Sequence, residues 1–229
     1  MTTATNNEHV GAGDIDAGSV LLASHRGDIS LLAKAFHHAD PHLRSLALGG
    51  LQKNEALTIE KIRVAERDSE QLVRHRIARL GATDTRIDLS GLLHDDNFAV
   101  AETAAWSFGE RVIVSDDQLM LLLDMAGNHS HPIVRESCIA ALGAIGDTRA
   151  LPAILAACSD KPAIRRRAVL ALAPFDGPEV SAALHVALTD RDWQVRQAAE
   201  DLLSIEGEAT EAENDELTIV DSRDDGPAT

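Results

Sequence analysis

Apolar positions along residues 15–204 recur with helical spacing, and one unit is repeated six times. Each copy has an apolar helix, a short polar turn that often contains Asp, and a second helix that opens with an aliphatic residue and usually Arg. Small or apolar residues then follow four, five, seven and eight places beyond the aliphatic residue, which places them on one helical face. The opening pairs are Leu43-Arg44, Val73-Arg74, Val100-Ala101, Val134-Arg135, Ile164-Arg165 and Val195-Arg196.

The copies follow one another at a nearly constant interval. Successive opening pairs are 30, 27, 34, 30 and 31 residues apart, and a fixed period of this size predicts a stacked repeat array. A hairpin this small cannot bury its own apolar face, so we expect stability to come from stacking on neighbours. The predicted hairpins are 28–52, 55–80, 86–109, 116–145, 149–174 and 178–204, with an additional helix near 15–25.

Local signals predict where individual helices begin and end. Proline stands in the first turn of three second helices, at Pro41, Pro132 and Pro162, where its missing N–H costs little. Asp40 and Asp160 precede two of these helices and are predicted to cap them. Gly109 and Gly143 stand at positions suited to ending the third and fourth second helices. Trp193, just before the last aliphatic–Arg pair, is predicted to pack at the start of its helix.

The segments IVRESCIAALGAIGD (133–147) and ALPAILAACSD (150–160) resemble the short HEAT-like repeats of the phycobilisome-lyase type. The resemblance extends over most of residues 15–204 and implies an all-α fold, a right-handed α-solenoid of about six short HEAT-like helical hairpins. In such repeats the recurring arginines and the turn aspartates look like a ladder between neighbouring copies. The resemblance therefore implies a structural role for Arg44, Arg74, Arg135, Arg165 and Arg196.

The second helices of such arrays line the concave face, where a partner would bind. Trp106 is the unusual residue there, because Ala104, Ala105 and Phe108 take the packing positions and leave Trp106 pointing outward. Exposed Trp and Arg anchor many interfaces, although Trp106 could instead lie flat on its neighbours or pack on the preceding helix. The predicted partner-binding residues are His75, Arg79, Glu102, Trp106, Glu136, Arg166, Arg167 and Leu170.

Charge divides the chain into a folded part and two polar ends. The net charge is −16, and residues 205–229 contain nine acids and one base, which predicts a disordered acidic tail. Residues 1–14 are predicted to be a disordered N-terminus. The tail is either only solubilising or in transient contact with Arg166 and Arg167. A chain this acidic is a poor nucleic-acid binder, because phosphate neutralisation needs a basic surface.

The sequence favours a protein-binding scaffold or adaptor without a cofactor, whose partner it does not name. The alternative is a HEAT-like enzyme or enzyme subunit, of the bilin-lyase or deoxyhypusine-hydroxylase kind. The latter binds iron through His-Glu pairs, and none of the ten histidines here is followed by Glu. Cys138 and Cys158 fall in apolar helical patterns and are interpreted as small core residues. The polar N-terminus and short apolar runs predict a cytoplasmic protein without a membrane span.

Overall fold

The computed structural model describes residues 15–204, and this part of the chain is helical without a strand. The all-α prediction is confirmed. The predictions for residues 1–14 and 205–229 lie outside the described residues. The chain divides into two compact units, with the boundary in the sequence between Asp88 and Leu89.

The first unit contains the additional helix and the first two hairpins. Its helices are α1 (Ala17–Arg26), α2 (Ile29–Phe36), α3 (Pro41–Lys53), α4 (Ile59–Ala65) and α5 (Gln71–Leu80). Helix α3 is central, because it packs against α1, α2 and α5. The buried side chains of Leu32, Leu48, Leu51 and Ile77 form the core between these helices.

The second unit contains the remaining four hairpins. Its helices are α6 (Leu89–Leu93), α7 (Phe98–Gly109), α8 (Asp116–Asn128), α9 (Pro132–Ile145), α10 (Leu151–Ala157), α11 (Pro162–Ala171) and α12 (Pro178–Ala187), followed by α13 (193–204). A 3₁₀ turn at Thr148–Ala150 leads into α10. Helix α9 is central and packs against α7, α8 and α11. Each predicted hairpin range therefore contains one pair of helices.

The two predicted aspartate caps have different outcomes. The carboxylate of Asp40 accepts the N–H of His42 and caps α3, as predicted. The prediction for Asp160 was wrong, since Lys161 is the N-cap of α11 and no side chain caps this helix. The carboxylate of Asp160 accepts instead from the guanidinium of Arg135 and from the N–H of Lys161.

The glycine predictions need a correction as well. Gly109 is the last residue of α7, close to its predicted role. Gly143 does not end α9, which continues to Ile145 and stops at Gly146 with a left-handed φ of 68°. A methyl group added at Gly143 would lie 2.6 Å from the Cβ of Ala171. Gly143 is therefore required for close packing of α9 on α11 and not for a turn.

The two cysteines differ in exposure. Cys138 is fully buried in α9, as the sequence predicts, whereas Cys158 is only half-buried. Burial raises the pKa of Cys138 to about 12 and that of Cys158 to about 11. Both thiols are therefore protonated near neutral pH and are poor nucleophiles.

Candidate interaction surface

An arginine at the start of each second helix, except α7, bonds to the turn before it. In α3 the guanidinium of Arg44 donates from Nε and Nη2 to the carboxylate of Asp68, at 2.8 and 2.7 Å. Its Nη1 donates to the carbonyl oxygens of His38 and Ala39, in the turn that precedes α3. Arg44 thereby joins its own turn to the turn of the next hairpin.

The same arrangement recurs between hairpins of the second unit. Arg135 donates from Nε and Nη2 to Asp160 at 3.2 Å each, and Arg165 donates in the same way to Asp190 at 2.8 and 2.7 Å. The carbonyl oxygens of Asp160 and Asp190 accept from the arginines of their own hairpins, Arg165 and Arg196. In the first unit, the Asp68 carbonyl accepts from Arg74. Each aspartate thus links two successive arginines.

These bonds also set the protonation of the ladder. The guanidinium of Arg165 and the N–H of Asp192 hold the pKa of Asp190 below its ordinary value, although burial opposes this. The bond to Asp190 in turn raises the pKa of Arg165. Arg44, Arg135 and Arg165 each bond both to their own turn and to the aspartate of the next hairpin, so they lie between repeats.

Close contacts between small residues bring α7, α9 and α11 side by side. A methyl group added at Gly109 would lie 3.0 Å from the Cα of Ala141, and Gly143 faces Ala171 at similar range. The backbones of the three helices can approach closely because these positions have little or no side chain. Side chains on the outer surface of the three helices therefore form one continuous face.

A groove of about 500 Å³ opens on this face beside Trp106. Trp106 is 37% exposed, as its register predicts, and Ile133 also projects toward solvent beside the groove. The carboxylate of Glu102 at the rim is held by the hydroxyl groups of Ser137 and Thr103, at 3.2 and 3.3 Å. The groove thus combines an apolar interior with an ordered acidic rim.

A second, shallower groove of about 340 Å³ lies where α11 meets α13. Arg166, Leu170 and Trp193 line it, and Trp193 is 64% exposed. The prediction that Trp193 packs at its helix start overlooked this exposure, because sequence spacing does not show whether a neighbouring turn covers a helix start. Ile133 was missed for the same reason.

The predicted partner-binding residues are divided between the two units. His75 and Arg79 lie on α5 of the first unit, where His75 is half-buried and Arg79 is exposed. In the second unit, Glu136 lies beside Arg167 at 3.6 Å, and Arg167 also lines the groove that contains Trp106. The structure brings Glu102, Trp106, Glu136 and Arg167 together at one groove and places Arg166 and Leu170 at the other.

The histidines have local roles. The ring of His131 stacks on that of Phe98, with centroids 4.1 Å apart and planes 4° from parallel. His38 accepts the N–H of Asp40 through Nδ1 at 3.0 Å. Within residues 15–204, no cluster of three His, Cys, Asp or Glu side chains is arranged to hold a metal ion. In the same range, no helix is long and apolar enough to cross a membrane.

One of three comparisons with known proteins bears on the repeat architecture. Residues 85–168 match the family model for HEAT repeats. Among solved structures, human deoxyhypusine hydroxylase in complex with glycerol is similar at 19% sequence identity, with 82% of this chain and 88% of that chain covered and a TM-score of 0.36. A search of curated proteins finds no significant match. The family match over residues 85–168 supports a HEAT-like repeat protein.

Proposed function

We propose that the protein is a non-catalytic scaffold or adaptor that binds a segment of a protein partner on the face of α7, α9 and α11. The observation that carries the proposal is the groove beside Trp106, where a half-exposed indole lies next to an apolar cavity. Tryptophan is enriched among the few residues that dominate binding energy at protein interfaces. We also propose that the repeats are of the phycobilisome-lyase type, on the basis of segment 133–147.

The composition of the groove indicates which kind of segment it accepts. Ala140, Ala144, Ile133 and Trp106 contribute to its apolar lining. The carboxylates of Glu102, Glu110 and Glu136 lie around it. An apolar centre within a polar rim is the usual anatomy of an interface. The groove suits an apolar side chain from the partner, with hydrogen-bond donors or basic groups on either side.

Trp106→Ala tests this proposal. Partners are first captured from the source cells with wild-type protein, and the dissociation constant of the purified partner is then measured for each variant. We expect Trp106→Ala to weaken binding by about 2 kcal/mol, or roughly thirtyfold, with almost no change in thermal stability. The matched control is Trp193→Ala, which removes an exposed indole from the other groove and leaves this affinity nearly unchanged.

Unchanged partner binding in Trp106→Ala would contradict the proposal. A fall in melting temperature as large as that of a core truncation would show that Trp106 acts in packing. The enzymatic alternative has its own test, since stoichiometric iron or zinc in protein purified without a His tag would favour a metal-dependent hydroxylase.

A further inference from the structure

The two second helices of the first unit are basic and carry no acidic residue. Helices α3 and α5 read PHLRSLALGGLQK and QLVRHRIARL, in a chain whose net charge is −16. Their cationic side chains are Arg44, Lys53, Arg74, Arg76 and Arg79. Asp68 balances Arg44, but neither helix itself supplies a carboxylate for the other basic side chains. A local excess of one charge in a chain of the opposite sign favours an oppositely charged ligand at that place.

Arg76 differs from the ladder arginines of the same helices. Arg44 and Arg74 donate to Asp68 and to turn carbonyls, whereas the Nε of Arg76 is buried without a hydrogen-bond acceptor among residues 15–204. Burial lowers the pKa of Arg76, and the nearby positive charge of Arg79 adds to this effect. Buried charged groups are normally paired, so an arginine left in this condition needs an explanation.

The position of Arg76 depends on a glycine of the neighbouring helix. A methyl group added at Gly49 would collide with Nη2 of Arg76 and lie 3.1 Å from its Cζ. The guanidinium therefore lies directly against the backbone of α3, in space that a larger side chain at position 49 would occupy.

The second unit contains the same arrangement with its anion present. Arg167 stands three places after Ile164, as Arg76 stands three places after Val73. Arg167 lies beside Ala140, the equivalent of Gly49, and Nη2 of Arg167 is 3.6 Å from the carboxylate of Glu136. The residue equivalent to Glu136 in the first unit is Ser45, which has no charge. The Nε of Arg167 is also buried without an acceptor, so the two arginines differ in the carboxylate beside Nη2, which position 45 does not supply for Arg76.

We propose that Arg76, lying against Gly49 between α3 and α5, binds a carboxylate on an acidic segment of a protein partner. Three features support this: the missing carboxylate at position 45, the guanidinium lying against Gly49, and the absence of acidic residues from α3 and α5. Arginine and a carboxylate form two parallel charge-assisted hydrogen bonds, for which the planar guanidinium has the right shape. This surface is independent of the groove beside Trp106, so either proposal can fail alone.

Binding of an acidic peptide to the full-length protein tests the site. The probe is a fluorescein-labelled decapeptide of alternating Glu and Ala, compared with its Gln–Ala counterpart by fluorescence anisotropy at low salt. We expect only the acidic peptide to bind, and Arg76→Gln to weaken its binding at least about fivefold. Arg63→Gln on α4 is the matched control, because Arg63 already bonds to Glu66 and lies in neither proposed binding surface, and it should change the affinity less than about twofold.

Two further variants separate the site from general charge attraction. Ser45→Glu places a carboxylate at the position equivalent to Glu136 in the other unit. It should raise the melting temperature and weaken binding of the acidic peptide at least about fivefold. Arg76→Lys keeps the positive charge but loses the planar guanidinium, and it should weaken binding of the acidic peptide more than about twofold. Both variants keep a polar side chain at an accessible position, and their folding is checked by circular dichroism.

Several results would overturn the proposal. The first is that the acidic peptide does not bind. The second is that wild type, Arg76→Gln and Ser45→Glu bind it equally well. The third is that the neutral peptide binds as tightly as the acidic one. In a last experiment, inorganic phosphate and chloride are each added to the bound acidic peptide at matched ionic strength. We expect the two anions to displace the peptide equally. Selective displacement by phosphate would assign the site to a phosphate group instead of a carboxylate.

Discussion

At the scale of single residues, identical side chains have different roles within one helix. Arg165 and Arg166 are adjacent, yet Arg165 bonds to Asp190 and to a turn carbonyl, whereas the Nε of Arg166 has no acceptor in the described part of the chain. The difference follows from helical geometry, because consecutive residues point about 100° apart. Only the position immediately after the opening aliphatic residue faces the turns of the ladder.

Removal of a ladder arginine should cost stability. The side chain of Arg135 is 13% exposed, and its loss removes the guanidinium donor of the Asp160 carboxylate and of the His129 carbonyl oxygen. Arg135→Ala should therefore lower the free energy of unfolding by about 1–3 kcal/mol, measured by urea denaturation.

The control for Arg135→Ala is Arg149→Ala. Arg149 also pairs with aspartates, at Asp147 and Asp116, but its side chain is 51% exposed. We expect a loss of at most about 1 kcal/mol for this variant. If Arg135→Ala is as stable as wild type but no longer binds the partner, the ladder interpretation is wrong.

At the scale of the helices, close approach matters more than helix propensity. Glycine inside α9 weakens the isolated helix, and its retention at position 143 is explained by Ala171 on α11. Sequence patterns such as this one do not separate a glycine that ends a helix from one that admits a neighbour, because both favour the same residue near a helix end.

Gly143→Ala is expected to separate α9 from α11. The new methyl group would lie 2.6 Å from the Cβ and 2.7 Å from the Cα of Ala171, and backbone atoms cannot move aside cheaply. We predict a loss of about 1–3 kcal/mol in the free energy of unfolding, measured by chemical denaturation.

Gly127→Ala in α8 is the matched control for Gly143→Ala. A methyl group added at Gly127 meets no atom within 4 Å, so this change should stabilise the protein by up to about 1 kcal/mol. Equal stability of the two variants would show that the contact between α9 and α11 has no energetic importance.

At the scale of the whole molecule, charge is unevenly distributed along the chain. Helix α11 carries three consecutive arginines, Arg165 to Arg167, and residues 205–229 carry nine acids and one base. A tethered segment meets a nearby surface at an effective concentration of about millimolar order. We therefore expect residues 205–229 to compete with acidic ligands for Arg166 and Arg167.

Deletion of residues 205–229 tests this contact. We expect an almost unchanged melting temperature, stronger binding of acidic ligands at low salt, and shifted amide signals of Arg166 and Arg167 in NMR spectra. The differences should fade above physiological salt, where the Debye length falls below about 8 Å. Coincident spectra of the full-length and shortened proteins at low salt would show that the tail does not touch these residues.

The sequence alone determined the helical hairpins, their order and the register of Trp106, because amphipathic spacing and proline position act within a few residues. It did not decide the role of Gly143, which depends on Ala171 in the next hairpin. Nor did it show that Asp160 bonds to Arg135, 25 residues away, instead of capping its own helix. The sequence also did not show that the Nε of Arg76 has no acceptor in the described part of the chain, because whether an anion lies beside a guanidinium depends on how neighbouring helices pack.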